Sequence, residues 1–270
     1  MNLATLRNGS SFGEMVDDCL RNGVTAISPW RDQVAEVGLG EAARIIESNG
    51  LRVTGLCRGG MFPAADSLGR QQAIEDNLRA IDEAATLGAD CLVLVVGGLA
   101  PGSRDLPGAR QMVADGIWAM LPYAQASGVP LAIEPLHPMY AADRACVNTL
   151  DQALDICQAL GEGVGVAIDV YHVWWDPNLA AAIARAGTMG CILAHHICDW
   201  LVPTTDMLLD RGMMGDGVID LPAIRGMIEA AGYNGPQEVE IFSRDNWWTR
   251  PGDEVVRTCV ERFETVCQPH

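Results

Sequence analysis

Four short apolar runs in the second half of the chain end on, or contain, residues that could hold a metal ion or move a proton. Leu131-Ala132-Ile133 leads into Glu134. Val164 to Ile168 leads into Asp169, with His172 three residues further on. Ile192-Leu193-Ala194 leads into His195 and His196. Glu238-Val239-Glu240-Ile241-Phe242 sets two glutamates among apolar neighbours. Runs this short, bounded by turn residues, read as strands buried on both faces. A bare carboxylate on such a strand is costly unless a cation or strong hydrogen bonds compensate it. One acid at one strand end is ordinary. Four successive runs carrying Glu, Asp, His and Glu indicate a single site fed by neighbouring strands. Two glutamates, one aspartate and one histidine suit a divalent ion that accepts hard oxygens and one nitrogen. Mn²⁺ is the leading candidate, with Mg²⁺, Co²⁺ and Zn²⁺ as alternatives. The rival reading makes each of them a buried hydrogen-bonding residue.

The scaffold must bring these ends together. Strands are expected over residues 2–6, 25–28, 52–56, 91–96, 129–134, 164–169, 192–197 and 237–242. Helices are expected over 11–21, 39–48, 69–87, 109–126, 149–160, 179–186, 221–231 and 253–266, several of them closed by Asn-Gly, Ser-Gly or Gly. Eight strand-then-helix units without a composition shift predict an α/β chain with a parallel sheet closed as a (β/α)8 TIM barrel, a single domain over 1–270. The alternative is a doubly wound open sheet. It is weakened because no Gly-x-Gly-x-x-Gly follows the first strand. In a barrel of this kind the active site lies at the C-terminal strand ends. Glu134, Asp169, His196 and Glu240 fall there, on strands five to eight.

Composition narrows the function. The chain has 270 residues, 49% of them hydrophobic, enough for one large core. Its formal net charge of −17 argues against nucleic-acid binding, which needs a basic footprint. There is no lysine, and all 18 basic residues are arginines, so Schiff-base chemistry and a P-loop lysine are excluded. Nine cysteines without a Cys-x-x-Cys pair point to a reducing, cytoplasmic setting. No basic-then-apolar leader opens the sequence, and the longest apolar stretch, 91–101, is too short and Gly-rich for a membrane span.

Five segments in order resemble the xylose-isomerase-like TIM barrels, the superfamily of sugar isomerases and epimerases that also contains endonuclease IV. They are Ile133-Glu134-Pro135-Leu136, Ile168-Asp169-Val170-Tyr171-His172, His196-Ile197-Cys198-Asp199, the run from Gly212 to Asp220, and Gly235 through Glu240. The N-terminal half matches only in strand–helix rhythm. The resemblance implies that Glu134, Asp169, His196 and Glu240 are metal ligands, and that the two glutamates double as acid and base on opposite faces of the substrate. Counting from Gly235 favours Glu240 over Glu238, which is expected on the opposite face of the strand. His195 likewise faces away from His196, as a hydrogen-bonded residue between barrel and helices. A trinuclear zinc endonuclease is disfavoured by the charge and by the few histidines.

The chemistry these groups could perform is proton abstraction next to a metal-bound carbonyl, passing through an enediolate. Return of the proton to the other face of the same carbon is epimerisation. Return to the neighbouring carbon is isomerisation. Loss of a β leaving group from a 3-keto-glycoside or keto-polyol, a lyase or dehydratase reaction, is the alternative. His172 and His137 could bond a substrate hydroxyl or act as acids. Arg58 and Arg211, in loops on the catalytic face, could hold a hydroxyl, carboxylate or phosphate. Trp30, Trp174, Trp175, Trp200, Trp247 and Trp248 follow strand ends, as a rim for a sugar ring or aglycone or as the interface of a homo-oligomer. No phosphate-binding glycine pattern follows strands seven or eight, which favours a free sugar or glycoside as the small-molecule partner.

Overall fold

The computed structural model describes residues 1–268. The chain opens with a 3-10 turn at Leu3–Leu6, then α1 (Phe12–Arg21), β1 (Ala26–Ile27), α2 (Arg31–Val37), α3 (Leu39–Ser48), β2 (Arg52–Val53), β3 (Leu56–Gly60) and α4 (Ser67–Leu87). It continues through β4 (Leu92–Val95), α5 (Leu106–Ala126), β5 (Leu131–Ile133), α6 (Leu150–Leu160), β6 (Val164–Asp169), α7 (Val170–Val173) and α8 (Leu179–Met189). The last elements are β7 (Ile192–Ile197), β8 (Asp199–Trp200), β9 (Arg211–Gly212), α9 (Leu221–Ala230), β10 (Gln237–Val239) and α10 (Gly252–Val266). Local chemistry sets many boundaries. Ser11 caps α1 in a reciprocal box with Glu14. Gly88 ends α4 in the left-handed conformation at φ 64°.

The strands are parallel around the barrel. Six run in the order β10-β7-β6-β5-β4-β3, and β1 pairs with β2. Chain continuity from β2 to β3 joins the two sets. Asn2 closes the ring: its amide donates to the Val239 carbonyl at 2.9 Å, and it bridges Ser28 in parallel. The fold is thus the expected parallel-strand TIM barrel.

Three local expectations fail. The first strand, expected over 2–6, is reduced to Asn2, because the Asn2 side-chain oxygen accepts from the Ala4 amide and turns the chain into a 3-10 helix. The third strand, expected over 52–56, is split into Arg52–Val53 and a separate strand Leu56–Gly60, so Arg58 belongs to a strand and not to a loop. The helix α2 was not expected; its start is held by Gln33, whose Oε1 accepts from the Trp30 amide.

The barrel interior is laid out by strand alternation. Cys57, Val93, Ala132, Ala167 and Ala194 form a small-residue layer inside the strands. The large aliphatic residues between them, such as Leu92, Leu94, Leu131 and Ile133, pack outward under the helices. Two residues beyond each alanine on β5, β6 and β7 come Glu134, Asp169 and His196. With a period of two, each is aimed into the same interior, one layer nearer the C-terminal mouth. No described helix is long and apolar enough to cross a membrane.

Candidate metal centre

Glu134, Asp169, His196 and Glu240 each offer one donor atom, and those atoms all lie within 4.8 Å of one another. All four side chains are buried. Glu134 follows β5 directly, with its amide donating to the Leu94 carbonyl. Asp169 ends β6, and its Oδ1 accepts from the Tyr171 amide at 2.9 Å, which turns the chain into α7. His196 presents Nδ1 to Glu134 Oε1 at 3.1 Å and to Glu240 Oε2 at 3.8 Å. Its Nε2 has no hydrogen-bond partner among the described residues, and Glu238 Oε1 lies 3.5 Å away. Three carboxylates and an imidazole converging in a buried interior fit a hard divalent ion with mixed oxygen and nitrogen ligands.

Arg211 is the charge partner of this group. It lies on β9, opposite Trp200 of β8 in an antiparallel ribbon. Its Nη1 donates to Asp169 Oδ2 at 2.7 Å and to Glu240 Oε2 at 3.0 Å, and Nη2 lies 3.2 Å from His172 Nε2. The guanidinium is stacked between the Tyr171 and Phe242 rings. This residue is fully buried, not the loop arginine the sequence indicated. The ribbon is anchored by Asp199, whose carboxylate accepts from the amides of Trp200, Gly215, Gly217 and Ile219 at 2.8–3.0 Å. Asp199→Ala strands four buried or half-buried amide donors and is expected to cost about 2–4 kcal/mol of stability. Urea unfolding of the purified variant checks this; an unchanged midpoint would count against the anchor.

The electrostatics follow from crowding and burial. Burial pushes the Asp169 carboxyl up, but Arg211, His172 and His196 outweigh it and hold the group at about 2. Burial also raises Glu240, and Glu134 and Asp169 add to the effect; Arg211 and His196 offset it only in part, leaving Glu240 at about 8. For His196, burial favours the neutral ring, yet Glu238, Glu134 and Glu240 together lift its pKa well above the usual value. Metal-free protein at pH 7 thus holds protons on Glu240 and His196 that coordination must displace. Loading with Mn²⁺ at pH 7 should release about two protons per ion, and metal affinity should fall as pH drops below 8. A weakly buffered titration with a pH indicator measures this; release of no protons would overturn the assignment.

Residues 7–264 match a family model described as the xylose isomerase-like TIM barrel. The chain belongs to this family. Among solved structures, protein SMc04130 from Sinorhizobium meliloti is 72% identical, with 99% of this chain and 98% of that one aligned at a TM-score of 0.98. An IolI protein with a bound zinc atom is 21% identical, covers 99% and 96%, and has a TM-score of 0.85. The 3-keto-D-glucoside 4-epimerase YcjR from E. coli is 20% identical, covers 94% and 95%, and has a TM-score of 0.73. At these identities the last two share the fold. An inosose isomerase of Halalkalibacterium halodurans is 25% identical over 155 residues, 54% of this chain and 51% of that protein. The chain therefore spans about half the length of the curated relative it matches.

Within this xylose isomerase-like barrel the remaining candidates separate. Glu238 is on the same face as Glu240, not the opposite one, because residues two apart on a strand share a face. It lies one layer deeper, accepting from Thr54 Oγ1 at 2.6 Å and Asn2 Nδ2 at 2.7 Å. Asn2 Nδ2 also reaches Glu240 Oε1 at 2.9 Å, so one amide spaces both acids. Asn2 and Thr54 carried no signal in the sequence, since their partners are some two hundred residues away. His195 does face away, toward α9, but neither ring nitrogen is hydrogen-bonded among the described residues. Burial holds His195 neutral, at about 3.

His172 is buried against Arg211, and burial lowers it to about 3, so it is a neutral ring. Arg211 only donates, which assigns the Nε2 of His172 as acceptor and the proton to Nδ1. His137 stands further out. It stacks on Trp200 at 5.0 Å and meets Trp175 edge-on at 5.8 Å. Trp174 and Tyr171 extend this cluster. Trp30 is on the other wall, edge-on to Phe242, with its Nε1 donating to Asn2 Oδ1. The six tryptophans therefore do not make one rim: Trp247 is buried, and Trp248 donates to the Ala4 carbonyl. The space over the four donors is narrow, about 20 Å³, and is bounded by Trp30, Glu134, His172, Arg211, Glu240 and Phe242, among others.

Proposed function

We propose that this protein is a divalent-metal-dependent isomerase or epimerase of keto-sugars or keto-polyols. The observation that carries the reading is the convergence of Glu134, Asp169, His196 and Glu240 at the barrel mouth. Those four residues would hold the ion, with Mn²⁺ preferred and Zn²⁺, Mg²⁺ or Co²⁺ also suited to the donors. When bound, the ion polarises the substrate carbonyl and acidifies the adjacent C–H, favouring an enediolate. Glu134 and Glu240 are the two carboxylates able to take a proton from that carbon and give one back. Arg211 keeps Asp169 ionised and offsets the crowding of acids. Neutral His172 orients Arg211 by accepting at Nε2, which leaves its Nδ1–H as the donor for a substrate hydroxyl. Trp30 and Phe242 on one side, and the cluster of His137, Trp175 and Trp200 on the other, offer apolar faces to a sugar ring. The nine buried, unpaired cysteines support a reducing, cytoplasmic location.

The curated relative, named an inosose isomerase, makes an inosose the first substrate to test. Metal-loaded protein incubated in D₂O with inososes and ketohexoses should place deuterium at a carbon next to the carbonyl. Mass spectrometry and NMR should show products isomeric with the substrate. The stacked aromatic cluster keeps β-elimination from a 3-keto-glycoside as a second reading, recognised by released water or aglycone. Absence of C–H exchange across the panel, with metal bound, would reject both.

A further inference from the structure

A second cavity of about 340 Å³ opens beside the metal centre, and Trp30 is in the wall of both. Its charged lining is Arg7, Arg31, Arg58, Asp32 and Asp76. In a chain of net charge −17, this one hollow has three arginines against two aspartates. Two of the arginines are spoken for. Arg7 holds Asp32 through both its Nη atoms at 2.7 and 2.9 Å. Arg31 holds Asp76 and, across the same fork, Glu83 at 2.6 Å. Arg58 has no protein partner among the described residues and stands half-buried in the wall.

The placement of Arg58 is built by the strand. The β3–β4 register pairs Cys57 with Val93 and Gly59 with Leu94, so Arg58 is the extra residue of a bulge. Bulges re-aim one side chain out of the alternating pattern and are found next to active sites. Asn77 clamps the segment from behind, with its Oδ1 accepting from the Gly60 amide at 2.6 Å and its Nδ2 donating to the Gly60 carbonyl at 2.8 Å. Gly60 has φ 108°, and a Cβ there would meet the Val95 carbonyl oxygen at 2.0 Å, so the backbone conformation requires glycine. The neighbour on the other side, Cys57, turns inward, and its thiol is pushed up by burial and by the charges of Glu134 and Glu240. The bulge thus sets one arginine on the wall of the cavity that shares Trp30 with the metal centre.

We propose that Arg58 is an anion subsite and that the natural substrate is an acidic keto-polyol. Its carboxylate or phosphate would sit against Arg58 while its carbonyl lies at the metal centre. Only the placement of the carbonyl at the metal centre rests on the isomerase or epimerase reading. Guanidinium forks match both anions and give charge-assisted hydrogen bonds.

Calorimetric titration of the metal-loaded protein with gluconate, glucitol phosphate and glucitol tests the subsite without turnover. At least one acid should bind about ten-fold tighter than glucitol or better, and the tighter acid identifies the anion. In R58Q that preference should collapse to near parity, and R58K should retain part of it. An acid held by the metal alone would keep its full preference in R58Q, and that result overturns the proposal. So does equal binding of all three probes to the wild type. Loss of preference in R58Q from a protein that shows no C–H exchange on any substrate would leave the subsite standing and reject the reaction instead.

Discussion

Asp169→Ala and His196→Ala should each abolish stoichiometric binding of a divalent ion. Each change removes one of four donors that converge within 4.8 Å. The remaining three cannot recruit a replacement, because the deeper acid, Glu238, is already engaged by Thr54 and Asn2. Phe242, Trp30 and Leu136 in the lining offer no substitute donor. The two variants also differ in a way that checks the electrostatics. Asp169→Ala leaves the buried guanidinium of Arg211 with Glu240 as its remaining carboxylate, a loss expected to cost about 3–5 kcal/mol. His196→Ala removes the imidazolium beside Glu240 and should raise the pKa of that acid further. Metal analysis after gel filtration, with circular dichroism to verify folding, decides the matter. Full retention of metal in both folded variants would sink the site.

Glu134→Gln and Glu240→Gln should each slow C–H exchange by about 10²–10⁴-fold, the range associated with one positioned acid or base. The amide keeps the shape of the carboxylate and an oxygen that can still ligate, but it cannot carry the proton. Assays must therefore be run at saturating metal, so that weaker coordination is not read as lost catalysis. The two variants need not be equal. Glu240 shares its Oε2 with Arg211 and its Oε1 with Asn2, so an amide there also disturbs those two contacts. Glu134 has no such arginine, and its loss reports more directly on proton transfer. Deuterium wash-in measured by NMR gives both rates. Wild-type exchange in both variants, with metal bound, would remove the acid–base pair from the mechanism.

What was legible in the sequence follows from the range of the interactions involved. Apolar runs of the length of β6 and β7 are local signals, and both elements occur at the residues expected, Val164–Asp169 and Ile192–Ile197. Helix caps are equally local, as Ser11 and Thr149 show. The rhythm of eight units implied the barrel, and the barrel implied that Glu134, Asp169, His196 and Glu240 share one end. The weak points were where a side chain competes with the backbone. Asn2 turned an expected strand into a 3-10 helix through its own side-chain oxygen. At Arg58 a strand that seemed finished continued with a bulge. The placement of Glu238 failed for a simpler reason, since strand alternation puts it on the face of Glu240.

The sequence by itself pointed to the fold class, the family and the four candidate donor residues, because periodicity and motif order are written along the chain. The tertiary structure decided how those donors are held. Arg211 reaches Asp169 and Glu240 from 42 and 29 residues away, across a ribbon that exists because Asp199 binds four amides. Asn2 spaces Glu238 and Glu240 from the opposite end of the chain. The free guanidinium of Arg58 is evident only once Arg7 and Arg31 are seen to be paired. Charge compensation acts through a few ångströms of space and is indifferent to distance along the chain, so no local pattern can announce it.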